Sequence, residues 1–272
     1  MLARSNLMRL ITDIPYATEV HARLNGDLYL PEPVTPHTPI ALVIHGGGWS
    51  NSDKTSLAPV CELLTQNGIA ALSVNYRRLP EAPWPACFED CVTAFDALRD
   101  PAFIATYGLH PQPLFVVGAS AGGHLALMTA LTRPVGQVAA ILAIAPPVSL
   151  RVNAPSCDTY LFTPAFFEAF FGHDRPVNDT QLREVSPLSY VGQESPPLWL
   201  VHSRNDMLVP PLHSRELADA YRAFGRPVSE HEFDGTDHVH GLWRDNNAVH
   251  RQMTPECATA LTTAVQAARP LL

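Results

Sequence analysis

Charge is scarce in this chain of 272 residues: 18 Lys and Arg stand against 26 Asp and Glu, a charged fraction of 16%. The net charge is -8 and the basic residues form no cluster, so nucleic acid and anionic membrane are poor partners. Cysteine is sparse as well. Five cysteines, at 61, 87, 91, 157 and 257, are odd in number and scattered, which argues against a disulfide framework. Cys87 and Cys91 have the i,i+4 spacing of one helix face, a poor geometry for a bridge. No CxxC pair and no HExxH sequence occurs, so neither a metal nor a cofactor is expected. No apolar run approaches the roughly 20 residues of a spanning helix. Arg4 and Arg9 interrupt the first residues before the core of a secretory signal develops. A soluble, cytoplasmic protein is the expectation. There is no internal repeat and no polar low-complexity tract, so disorder is not expected either.

What the chain does have is apolar material, 46% of its residues, and a length that suits one large domain. Short apolar runs alternate with amphipathic stretches. Strands are expected at 40–44, 69–74, 114–117, 138–144, 198–201 and 228–233. Helical spacing runs over 56–67, 86–98, 121–131, 212–224 and about 254–268. Wholly apolar strands alternating with helices imply a parallel sheet covered on both faces. Residues 14–30 alternate partially around Asn25-Gly26-Asp27, which reads as a hairpin and as an antiparallel edge. The prediction is one α/β domain over 1–272, with a mostly parallel sheet of about eight strands. Residues 150–195, rich in Pro and carrying Phe166, Phe167, Phe170 and Phe171, read as an insertion over the sheet edge.

Gly118-Ala119-Ser120-Ala121-Gly122 matches G-x-S-x-G at the junction of a strand and a helix. A serine there projects its hydroxyl above the carboxyl edge of the sheet, as in the α/β-hydrolase fold. The flanking positions are small, so strand and helix can approach closely. Ser120 is therefore the candidate nucleophile. His45-Gly46-Gly47-Gly48-Trp49 follows the strand 40–44. Acyl transfer builds a negative oxygen, and backbone N–H groups can reach it where no side chain intervenes. The donors are assigned to Gly47 and Gly48, joined by Ala121, with Gly46 as the alternative first donor. A phosphate loop is the competing idea, but the segment lacks the Lys-Ser/Thr ending and the dinucleotide spacing. Trp49, with the phenylalanine cluster, is the candidate substrate-binding wall.

A serine nucleophile needs a base, and the base needs an orienting acid. In this fold they follow in the order Ser, Asp or Glu, His. Asp206 lies just past the strand 198–201 and is the candidate acid. Two histidines compete as base in Phe233-Asp234-Gly235-Thr236-Asp237-His238-Val239-His240-Gly241. His238 is preferred because the loop after the strand is then shortest; His240 is the alternative.

These segments, with Asn75-Tyr76-Arg77, Pro80-Glu81, Pro83-Trp84-Pro85-Ala86 and Asp90, resemble the hormone-sensitive-lipase-like carboxylesterases and the small feruloyl-esterase-like hydrolases. The resemblance covers roughly residues 25–240. It implies an α/β-hydrolase fold and hydrolysis of small carboxylic esters, with the acid at Asp206 and the base at His238. There are departures. Tyr76-Arg77-Arg78-Leu79-Pro80 stands where the family often has Tyr-Arg-Leu-Ala-Pro, and Ser203 replaces a usual Gly. The long N-terminal cap of many lipase-like members is missing, which points to a compact esterase. The same features also resemble arylformamidases, so N-formylkynurenine-type amide hydrolysis is the alternative activity. The sequence leaves the oligomeric state open, a homodimer included.

Overall fold

The computed structural model describes residues 8–19, 21–109, 113–151, 156, 162–173, 177–234, 238 and 253–272. Eight strands form one sheet: β1 (Met8–Pro15), β2 (Asn25–Pro31), β3 (Ile40–Ile44), β4 (Ala70–Val74), β5 (Leu114–Ala119), β6 (Val138–Ile144), β7 (Leu198–Ser203) and β8 (Val228–Phe233). Their spatial order is β1-β2-β4-β3-β5-β6-β7-β8. β1 and β2 run antiparallel to their neighbours, and every pair from β4 through β8 is parallel. The helices are α1 (Ala58–Gln66), α2 (Ala86–Ala97), α3 (Pro101–Tyr107), α4 (Ala121–Leu131), α5 (Pro164–Phe171), α6 (Asp179–Glu184), α7 (Leu212–Ala223) and α8 (Pro255–Ala268).

Both faces of the sheet are dry, which is why its central strands carry no polar alternation. Leu42, Ile44, Leu72, Val74 and Val116 point to one face and pack under α2, α4 and α7. Ala41, Val43, Ala71, Phe115 and Val117 point to the other, under α1 and α8. α4 is apolar all round, with ten of its residues, Ala121 through Ala130, buried. Such a helix belongs in the centre of a molecule, and it lies against β5 with α2 over it. Among the described residues no helix is long and apolar enough to cross a membrane.

The expected strands and helices appear within a few residues of their predicted ends. The hairpin is a correction. Asn25-Gly26-Asp27 is not its turn but the start of β2, and β1 pairs with it from residue 8 onward. Gly26 is small for another reason: a Cβ there would sit 2.9 Å from both Leu72 Cδ1 and the Ser73 carbonyl oxygen of β4. Close approach between strands, not turn geometry, requires the glycine. The helices α3, α5 and α6 were not expected, because each is short.

The strand order reverses between β3 and β5. The chain leaves β3 for β4 on one side and then crosses back to β5 on the other. Loops after β3 and β5 therefore diverge, opening a crevice at the carboxyl edge, the usual place for a ligand in an open α/β sheet. Both glycine-rich segments lie there.

Candidate active site

β5 ends at Ala119 and α4 begins at Ala121, so Ser120 alone makes the turn, with φ 55° and ψ −125°. Side-chain-bearing residues seldom occupy that region, and holding one there costs on the order of 1–3 kcal/mol. Two hydrogen bonds hold it. The Ser120 N–H donates to the Ile144 carbonyl of β6 at 2.8 Å, and its own carbonyl accepts from the His124 N–H at 3.0 Å. The flanking glycines are required by contact. A Cβ at Gly118 would lie 2.1 Å from the Gly122 carbonyl oxygen, and one at Gly122 would lie 2.1 Å from that of Ile44. The second contact presses the start of α4 against the end of β3, which brings Ser120 beside the 46–48 loop.

That loop is held from behind. The His45 ring is buried and stacked on Tyr76 at 4.3 Å. Burial pushes its pKa down to about 3, against the opposing pull of the Gly46 carbonyl, so the ring is neutral. Its Nδ1 lies 2.7 Å from that carbonyl oxygen and donates to it. The Tyr76 hydroxyl donates to the His45 carbonyl at 3.0 Å and reaches the Gly46 carbonyl at 3.5 Å. In a trans peptide the C=O and the next N–H point in opposite directions. Fixing the Gly46 carbonyl toward His45 therefore turns the Gly47 N–H away from it. Gly47 takes φ +107°, and a Cβ there would meet the Asn51 carbonyl oxygen at 2.4 Å. Among the described residues no hydrogen bond leads from the Gly47, Gly48 or Ala121 N–H to another group outside regular helix and strand pairing. Gly46, the alternative first donor, supplies the carbonyl that is tied back.

The candidate acid and base meet the serine from the other side. Asp206 follows β7 and is buried. Its Oδ1 accepts from the Leu208 and Val209 N–H groups at 3.0 and 2.9 Å. Its Oδ2 lies 2.6 Å from His238 Nδ1 and 3.3 Å from His202 Nε2. Burial raises the carboxyl pKa, but the contacts with His202 and His238 and the Val209 N–H outweigh it and hold the group well below the usual carboxylate range. His238 Nε2 lies 2.8 Å from Ser120 Oγ. The serine, imidazole and carboxylate thus form one continuous line, with a proton path from Oγ to Nε2 and an anchor at Nδ1. His240, the other candidate base, lies outside the described residues.

Trp49 is almost completely buried. Its indole meets the rings of His124, Phe166 and Phe170 at 5.1–5.5 Å, and Trp84 stacks on Phe170 and Phe88. α5 is tied to this cluster through the Trp84 N–H, which donates to the Phe170 carbonyl at 2.7 Å. Trp49 is thus a packed wall behind the glycine loop. Of the other residues shared with the resemblance, Arg77 and Asp90 form a bidentate pair at 2.7–3.0 Å and brace the chain after β4.

Four contributors escaped the sequence reading. Arg23 donates to the Tyr76 carbonyl at 2.7 Å and reaches His45 Nε2 at 3.5 Å, while Tyr76 was legible only within its motif and His202 only as the residue before Ser203. Ser214, twelve residues beyond His202, contacts it at 2.7 Å. Buried histidines next to two predicted site segments were the available signal.

A sequence profile of the BD-FAE family matches residues 26–221. Among curated proteins, esterase LipQ of Mycobacterium tuberculosis is 29% identical over 82% of this chain and 57% of its own length. The probable carboxylic ester hydrolase LipM of the same organism is 28% identical over 86% of this chain and 56% of its own. The chain therefore spans little more than half the length of these relatives. A truncated carbohydrate esterase from gut microbiota superposes with a TM-score of 0.79 at 21% identity, covering 97% of this chain and 96% of that one. At that identity the likeness is one of fold.

Proposed function

The chain belongs to the BD-FAE family of α/β-hydrolases, and on that premise we propose that it is a serine carboxylesterase acting through an acyl-enzyme. The observation that carries the reading is the line from Ser120 Oγ to His238 Nε2 at 2.8 Å and from His238 Nδ1 to Asp206 at 2.6 Å. The names of the relatives support an ester substrate, and nothing among them favours the arylformamidase alternative. Short-chain or aryl esters are the proposed class, supported by Phe166, a partly exposed ring packed on the buried Trp49 and Phe170. A cytoplasmic setting fits the four described cysteines, all buried thiols. One domain over 1–272, with 150–195 as an insertion, fits the single sheet.

In this mechanism Ser120 Oγ attacks the ester carbonyl while His238 Nε2 takes its proton. Asp206 holds the ring by Nδ1–H and stabilises the imidazolium. The Gly47, Gly48 and Ala121 amides bind the oxyanion, aided by the positive end of α4. The intermediate collapses, His238 protonates the leaving alcohol, and water repeats the sequence on the acyl-enzyme. A fluorophosphonate probe, read alongside a panel of p-nitrophenyl esters of increasing acyl length, tests the reading. Absence of labelling at Ser120 would sink it.

Two further outcomes are expected. Gly47→Ala should lower kcat by about 10²–10³-fold, the usual cost of an oxyanion donor, because the new methyl must displace the Asn51 carbonyl. Steady-state kinetics would check this, with a far-UV spectrum to show the fold retained. Activity should also fall on acidification as one imidazole takes up a proton. Asp206 should add no limb between about pH 5 and 8, since its neighbours keep it ionised there. Activity that does not fall on acidification would contradict the assignment of the base.

A further inference from the structure

The histidine at the end of β7 has no part in the mechanism above, yet every polar atom of its ring is engaged. His202 is 1% exposed. Its Nε2 lies 2.9 Å from the Val209 carbonyl oxygen and 3.3 Å from Asp206 Oδ2. A carbonyl oxygen can only accept, so Nε2 carries the hydrogen. That N–H donates to the carbonyl, and the carboxylate oxygen lies beside it within ion-pair distance. Nδ1 is then the lone-pair nitrogen, and the Ser214 hydroxyl at 2.7 Å donates to it.

We propose that His202 is a positioning residue for Asp206 and that Ser214 fixes its tautomer, on the reading that Ser120, Asp206 and His238 are the catalytic residues. Asp206 accepts from three N–H groups, Leu208 and Val209 on Oδ1 and His238 on Oδ2, and its Oδ2 also faces His202 Nε2 at 3.3 Å. The two backbone groups come from its own loop and hold one edge of the carboxylate. His202 stands on the strand and α7 supplies Ser214, so this pair ties the other edge to the rigid scaffold. Because the positive end of the His202 N–H dipole and His238 face the same oxygen, His202 also tempers how strongly that oxygen attracts a proton on His238. The groups around the ring are Asp206, His238 beyond it, and His213 on α7. Burial pushes the His213 pKa down to about 3, and its Nδ1 accepts from the Val148 N–H at 3.2 Å, so His213 adds no positive charge beside the ring.

The test compares His202→Phe, His202→Gln and Ser214→Ala. Removing the N–H should lower kcat about tenfold or more with KM little changed, as expected for losing a polar contact with a charged group. It should also move the acid limb of the kcat profile to higher pH, because the Asp206 oxygen left with one partner stabilises the protonated base more. His202→Gln, whose amide can still donate, should recover part of both effects. Ser214→Ala should weaken both in the same direction, and it keeps the proposal testable if the Phe variant does not fold. Equal losses in the Phe and Gln variants with an unmoved acid limb would overturn it, since lost packing alone gives that pattern. A ¹⁵N-resolved spectrum of the full-length protein provides a readout independent of catalysis. His202 should appear as the Nε2–H tautomer, and an Nδ1–H tautomer would overturn the proposal even in a protein that hydrolyses nothing. Failure of the catalytic reading shows separately, as absence of Ser120-dependent labelling.

Discussion

Ser120→Ala is expected to lower kcat by about 10⁶-fold while leaving KM and folding stability close to wild type. The magnitude follows from how the site works. Nucleophile and base act as a unit, and loss of either removes the covalent route, leaving only what binding and the oxyanion donors supply over water. His238→Ala should therefore fall about as far, and the double variant scarcely further. The fold should tolerate the serine change because Ser120 is held by its backbone, through Ile144 and His124. The turn itself is strained at φ 55°, and alanine suffers the same strain as serine. Stopped-flow or steady-state ester hydrolysis, with thermal melting beside it, checks the result. A variant retaining more than about a hundredth of wild-type kcat would show that another nucleophile is at work.

The second large effect is expected from Asp206→Asn, about 10⁴-fold in kcat. The local hydrogen bonds say why. Oδ1 accepts from two backbone N–H groups, so the amide oxygen of Asn must take that place. Its NH₂ then faces His238 Nδ1 and His202 Nε2, where the carboxylate oxygen had been. An NH₂ can only donate, so it forces His238 to present a lone pair at Nδ1 and its hydrogen at Nε2. A ring in that tautomer has no lone pair for the Ser120 proton. The loss thus arises with the backbone in place, and serine labelling should fall in parallel with kcat. If Asp206→Asn cost less than about tenfold, Asp206 would not be the acid.

The central strands were readable because burial on both faces leaves only one kind of residue for them. Ile40–Ile44 and Leu114–Ala119 are continuous apolar runs for that reason. Gly118 and Gly122 were readable because contacts of 2.1 Å to backbone admit no side chain. Gly26 misled for the same reason: a missing side chain marks a close approach as readily as a turn, and sequence spacing does not separate the two. Short helices such as α5 and α6 were invisible, since two turns carry too little periodicity and their stability comes from what they pack on.

By itself, the sequence determined which residues the chemistry has available: a serine between small neighbours, a run of three glycines after a strand, then an acid and a histidine in order. These are local facts, written in short motifs, because backbone sterics act over a few residues. Tertiary structure alone decided how they meet. Ser120 and His238 are 118 positions apart and lie 2.8 Å from each other. The bracing of the loop by Arg23, Tyr76 and His45, and of Asp206 by His202 and Ser214, follows from the order of strands in the sheet. No spacing along the chain encodes that order, because hydrogen-bond geometry depends on distance through space.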